Sequence, residues 1–157
     1  MHTSSIHTLE GKSIKPSRAQ VLRDSVSIRL AVNSAGPLIA DILKENGVEL
    51  NGAQWGQIFP HWLLATNGDD AIGCVQVIPS KPIGYLEFLF VRPSVSFKLR
   101  AIALRKLAIQ GMATLYHGGA QYVAGIVDTK DKKYLGVIEK SGATPLYTGH
   151  LVIKRLA

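Results

Sequence analysis

Residues Tyr85 to Pro93 read Tyr-Leu-Glu-Phe-Leu-Phe-Val-Arg-Pro. From Tyr85 to Val91 every residue except Glu87 is apolar or aromatic, and Pro93 ends the run. Such a run predicts a strand buried on both faces, at the centre of a sheet rather than at its edge. A strand of this kind accepts a carboxylate in two settings: where a partner compensates it, or where the strand opens on a cleft that water reaches. Glu87 is therefore the first candidate for chemistry. Its plainer reading is a structural one, in which it pairs with a nearby Arg or lies at a polar sheet edge.

Working upstream, Trp62 to Thr66 and Ala71 to Ile78 read as strands joined by the turn sequence Asn67-Gly68-Asp69-Asp70. Pro79-Ser80-Lys81-Pro82 separates this hairpin from the central strand. Earlier still, Val26, Ile28 and Leu30 alternate as in a strand. Leu38, Ile39, Ile42 and Leu43 then take helical spacing, with Asn33 or Ser34 as cap, Pro37 in the first turn and Gly47 as the stop. The stretch from Val48 to Pro60 is ambiguous, with a short helix expected over Gln54 to Phe59.

Working downstream, about Leu99 to His117 is the longest helical pattern. It carries Leu104, Leu107, Ala108, Gly111 and Leu115 on one face, with Gly118-Gly119 as its end. Tyr122 to Val127 predicts a strand, and Lys130 to Lys140 a helix with Leu135 and Ile138 facing in. Thr144 to Leu156 supplies one or two last strands. A hairpin block followed by a strand-helix-strand unit implies an α/β (α+β) domain. Its central sheet is mixed and mostly antiparallel, with helices on its faces.

With 157 residues, 46% hydrophobic and 18% charged, the chain suits one globular domain. No apolar run reaches the length of a membrane span, and no secretory signal pattern is expected at the N-terminus. Cys74 is the single cysteine, so an internal disulfide is excluded and a cytoplasmic setting is expected. It sits in an apolar run and reads as packing rather than as a nucleophile. His61, His117 and His150 have no ligand partners at metal-binding spacing, so no metal is expected. Trp55 and Trp62 read first as core residues.

The net charge is +7, and no acid occurs between Glu87 and Asp128. That interval carries Arg92, Lys98, Arg100, Arg105 and Lys106. A one-signed patch attracts phosphorylated cofactors, nucleic acid or acidic protein surfaces, and a solvated basic helix face explains it equally well. Phe97 is the only aromatic near those cations. A stacking platform for single strands is therefore not expected, and nonspecific phosphate contact stays open. The segment 1–24 is polar and basic and reads as a mobile arm ahead of a domain at 25–157. Ordering such an arm takes its own domain, a neighbouring subunit or a larger assembly.

The element order resembles that of the GNAT acetyltransferases over roughly Val26 to Leu156. Three places carry the resemblance. YLEFLFVRP is similar to the family's central strand, which ends in Val-x-Pro. Ser94 to Tyr116 is similar to the break and long helix that follow it. Val-Ile-Glu-Lys-Ser-Gly-Ala at Val137 to Ala143 resembles the family's Leu-Tyr-Glu-Lys-Leu-Gly-Phe helix end.

The resemblance implies acetyl-CoA in a cleft where the central strand and the next strand splay apart. The pyrophosphate would lie against a backbone loop at a helix start, where dipole and unpaired N–H groups act together. The implied coenzyme residues are Phe90, Val91, Ser96, Phe97, Lys98, Leu99, Arg100 and Ala101. The implied base is Glu87, its pKa raised by burial, acting on an amine of a small molecule or protein.

Two departures stand out. The family's loop glycines are replaced by Phe97 and Leu99, which add Cβ atoms where backbone must approach phosphate. Ala101 keeps a small residue, and Lys98, Arg100 and Arg105 offer charge instead. At the position of the family's Tyr acid stands Ile138, with Tyr134 one turn earlier on the same face. The resemblance therefore implies an N-acetyltransferase-like protein. The alternative is an inactive GNAT-fold binding or structural component of an assembly such as a virion.

Overall fold

A computed structural model of the chain describes residues 17–49, 61–126, 139–140, 142, 144–145 and 151–155. Its strands are β1 (Val26–Leu30), β2 (Trp62–Asn67), β3 (Asp70–Ile78), β4 (Ile83–Val91), β5 (Tyr122–Ile126), β6 (Thr144–Pro145) and β7 (Leu151–Arg155). Its helices are α1 (Arg18–Asp24), α2 (Gly36–Glu45) and α3 (Phe97–His117). The strands form one seven-stranded sheet in the order β1-β2-β3-β4-β5-β7-β6. Every pairing is antiparallel except β4 with β5, which is parallel. The expected mixed, mostly antiparallel sheet is what the chain forms. The helices expected at 54–59 and 130–140 fall on residues mostly outside those described, although Glu139 and Lys140 are helical.

The β2–β3 hairpin turns where the Asn-Gly signal sits, and Gly68 takes φ +61, a value that L side chains resist. Alternation in β2 and β3 divides the core. Leu63, Ala65, Val75 and Val77 pack on one face with Leu107 and Leu115 of α3. Trp62, Leu64 and Cys74 pack on the other face with Ile39, Ile42 and Leu43 of α2. The sheet is thus covered on both sides, and β3 is buried along almost its whole length.

Several local expectations change. No side chain caps the turn before α2 among the described residues. A 3-10 turn over Asn33–Ala35 leads into the helix, with Pro37 in the first turn as expected. Residues at the end of the expected mobile arm form α1, which Ser17 caps through Gln20 N–H. Lys106 Nζ donates to Arg23 O at 2.7 Å and to Val26 O at 2.6 Å, which ties the end of α1 and the start of β1 to α3. α3 begins at Phe97, ahead of Leu99, because the Arg92–Val95 turn (Val95 N–H to Arg92 O, 3.2 Å) already brings the chain round.

Two glycines let α3 lie close to the sheet. A Cβ on Gly84 would come within 2.6 Å of Leu115 Cδ2, and one on Gly111 within 2.7 Å of Leu86 Cδ2. Gly73 is tighter in kind, because its added Cβ would meet the Phe90 carbonyl oxygen at 2.8 Å and Val91 Cγ2 at 2.8 Å. Backbone cannot rotate out of the way as a Leu terminus can. Gly73→Ala is therefore expected to destabilise the fold by about 1–3 kcal/mol, read by urea denaturation with an unchanged slope.

Candidate functional site

β4 is paired differently along its two edges. On the β3 side the register runs from Ile78↔Tyr85 to Gly73↔Val91, so β4 stays attached along its length. On the β5 side pairing runs from Ile83↔Tyr122 to Leu86↔Gly125 and stops. From Glu87 onward the β5-facing edge of β4 has no strand partner among the described residues. Glu87 is the first β4 residue past the last of these pairs.

A β-bulge lies at the same point. Between Cys74↔Phe90 and Gln76↔Glu87 the β4 strand carries an extra residue. Phe88 takes φ 51 there, the one non-glycine with positive φ among the described residues. For a bulky side chain that region is strained, and such strain persists only when the surroundings enforce it. Three contacts do so. The Phe88 ring stacks on Trp62 with centroids 5.8 Å apart and planes 24° from parallel. Cys74 Sγ–H points to the Phe88 carbonyl at 3.8 Å. Phe88 and Phe90 both pack on the α2-side core, while Leu86 and Leu89 pack on the α3 side. The bulge thus keeps Glu87 on the α2 side and restores alternation from Leu89 onward.

Glu87 is half-buried, and no ion pair or side-chain hydrogen bond involves it among the described residues. The nearby Arg that a structural role would call for, Arg92, is paired with Glu45 instead. Across the β2–β3–β4 row, Trp62 is in register with Gln76, and Gln76 with Glu87. Trp62 and Gln76 are buried, so Glu87 is the member of this row that reaches the open side. The strand expected to be buried on both faces is instead half-buried from Tyr85 through Phe90.

The loop and helix after β4 complete the geometry. Ser96 precedes α3 with no side-chain capping bond, and the first turn holds no acid. The amides of that turn are left with the positive end of the helix dipole. Phe97 is 81% exposed, so its ring stands out in solvent. Lys98 and Ala101 are exposed, and Leu99 and Arg100 half-buried. Val91 is buried and Phe90 packs inward, so their side chains belong to the core. The basic stretch divides in two. Arg92 and Lys106 are consumed by bonds to Ala71 O, Glu45, Arg23 O and Val26 O, while Lys98, Arg100 and Arg105 keep their charge available. Tyr134, Ile138, Trp55 and His150 lie outside the described residues.

The fold, one mixed sheet with helices on both faces, is shared by solved structures. The chain superposes on N-acetylglutamate synthase from Neisseria gonorrhoeae, complexed with coenzyme A and L-arginine, with TM-score 0.69 and 14% identity over 83% of this chain. An acetyltransferase from Streptococcus agalactiae matches with TM-score 0.68 and 14% identity, covering 84% of this chain and 99% of that one. yncA from Salmonella typhimurium, solved with its cofactor acetyl-CoA, matches with TM-score 0.67 and 11% identity, covering 85% and 95%. The chain has the GNAT fold. It spans only 33% of the N-acetylglutamate synthase chain, so the likeness there is to a part of that protein. No protein-family model matches the sequence, and no curated protein matches it.

Within this GNAT frame, sequence reasoning singled out Glu87 and the loop as candidates and missed the bulge. No glycine marks it, and the pattern through Phe88 reads as an ordinary apolar run. No cluster of His, Cys, Asp and Glu able to hold a metal occurs among the described residues. None of their helices is long and apolar enough to cross a membrane. Cys74 packs under the bulge as expected of a buried thiol. Burial pushes its pKa up to about 12, with the Arg92 charge pulling weakly the other way. The thiol form thus stabilises the fold fully below the unfolded cysteine's pKa, and that contribution is lost as pH rises toward 12. A thiol reagent at pH 8 is expected to leave Cys74 unmodified in the native protein and to titrate one thiol in denaturant. Rapid native labelling would show that the bulge does not cover it.

Proposed function

We propose that the chain binds acetyl-CoA in the gap between β4 and β5 and transfers the acetyl group to an amine, with Glu87 as the base. The observation that carries this reading is the coincidence of three things at one place: the bulge at Phe88, the end of the β4–β5 pairing at Leu86↔Gly125, and a carboxylate with no ion-pair partner among the described residues. Coenzyme A carries two amides in its pantetheine arm, and the unpaired edge of β4 offers backbone groups at strand spacing. Val91, turned away from β3 by alternation, offers its N–H on that edge nearest the helix start, its carbonyl being taken by Asn46 Nδ2. The α3 start suits the pyrophosphate, through the amides of Phe97, Lys98 and Leu99 and the charge of Lys98 and Arg100. With Phe97 out in solvent, the substitution of the loop glycines leaves the helix end open.

Acetyl-CoA supplies the acyl group as an activated thioester. Glu87 would take a proton from the acceptor's ammonium, so that the amine lone pair is free to attack the thioester carbonyl; the C–N bond would form as the C–S bond breaks, and the departing coenzyme thiolate would take up the proton lost by the amide nitrogen, through water. A half-buried carboxylate with no ion-pair partner among the described residues supports this role. The acceptor is an amine of a small molecule or a protein. In a second reading the GNAT fold is kept for its surface, as a noncatalytic component of an assembly. The specific observation behind it is the start of α3, where Phe97 and Leu99 stand in place of the glycines.

Isothermal titration with acetyl-CoA separates the two readings. Micromolar binding is expected for the enzyme, and absence of binding at millimolar coenzyme would leave only the second. In an acetyl-transfer assay, Glu87→Gln is expected to lower kcat by about 100-fold or more with coenzyme affinity and melting temperature kept. Unchanged turnover in that variant would remove Glu87 from the chemistry.

A further inference from the structure

Arg92 is the residue between Val91 and Pro93, at the root of the loop that leads into α3. Counted by composition it belongs to the basic stretch that faces phosphate. Its contacts point elsewhere. The backbone N–H donates to Ile72 O at 2.8 Å, and Nε donates to Ala71 O at 2.8 Å. A second guanidinium nitrogen pairs with Glu45 at the end of α2. The carbonyl of Arg92 accepts from Val95 N–H and so closes the turn into the loop. Beside it, Asn46 Nδ2 donates to Ile42 O at 2.8 Å and to Val91 O at 3.3 Å.

One residue at the end of β4 thus joins the start of β3 and the end of α2 through its side chain, and the loop before α3 through its backbone carbonyl. The fork geometry of a guanidinium allows this, since its donors are fixed in one plane and diverge. Its side chain is 19% exposed, and its charge is answered by a carboxylate. It has little left to give an anion.

We infer that Arg92 is a positioning residue: with Glu45 it straps the acceptor-side helix α2 to the root of the phosphate loop and holds the first turn of α3 in place. This rests on the coenzyme reading above. The two roles open to Arg92 make opposite predictions for Glu45. If Arg92 were a phosphate ligand, releasing it from Glu45 would strengthen coenzyme binding. If Arg92 positions the loop, losing Glu45 weakens binding as losing Arg92 does.

The experiment compares Glu45→Gln, Arg92→Met and the double variant by amide hydrogen exchange on the apo protein and by titration with acetyl-CoA. Glu45 is 38% exposed, so Glu45→Gln is expected to fold. Both single variants should speed exchange of the Val95 and Arg100 amides, whose carbonyl partners are Arg92 and Ser96. Each should weaken acetyl-CoA binding by about tenfold, and the double variant should match either single one. Tighter or unchanged binding in Glu45→Gln, or unaltered exchange at Val95 and Arg100, would overturn the strap. If the unmodified protein binds no acetyl-CoA, the coenzyme reading falls, while the exchange comparison still decides what Arg92 does.

Discussion

The structure depends on one constraint: Phe88 must hold a left-handed backbone in the middle of a strand. Strain of that kind lasts only where packing leaves no alternative. Here the Trp62 ring lies against Phe88, and the Cys74 thiol sits beneath its carbonyl. Ile39, Ile42 and Leu43 of α2 pack into the same cluster. Downstream of the bulge, β4 keeps its pairing to β3, while its pairing to β5 has already ended. The placement of Glu87 on the α2 side follows from the bulge.

Rigidity around the gap comes from both faces of the sheet. α3 lies close to β4 because Gly84 and Gly111 remove Cβ atoms where Leu115 and Leu86 need space. α2 is fixed at its far end by the Asn46 and Arg92 contacts. A site bounded by two docked helices is better held than one carried by loops alone, which is what positioning of a reacting amine requires.

Much of this frame was legible in the sequence. The Asn-Gly turn gave away the β2–β3 hairpin between two apolar runs, and period-two alternation marked β1. Gly118-Gly119 and the spacing of Leu107, Gly111 and Leu115 marked α3. Glu87 stood out because a lone carboxylate in an apolar strand needs a reason. The bulge stayed hidden, since Phe at a positive φ is set by tertiary packing and leaves no local signature. The basic stretch misled in part, because charge counted along the chain says nothing of Glu45 or of the Arg23 and Val26 carbonyls that take up Arg92 and Lys106. Lys98, Arg100 and Arg105 are the cations that remain. α1 was missed for a similar reason: its order comes from Ser17 and from Lys106, which is distant in sequence.

Amide chemical-shift mapping of the protein titrated with acetyl-CoA asks whether the bulged edge of β4 and the start of α3 form one coenzyme site, as proposed. If they do, the largest changes fall on 87–91 and 96–101, with β1 and the solvent face of α3 unaffected. Changes confined to other surfaces would contradict it, as would none at all.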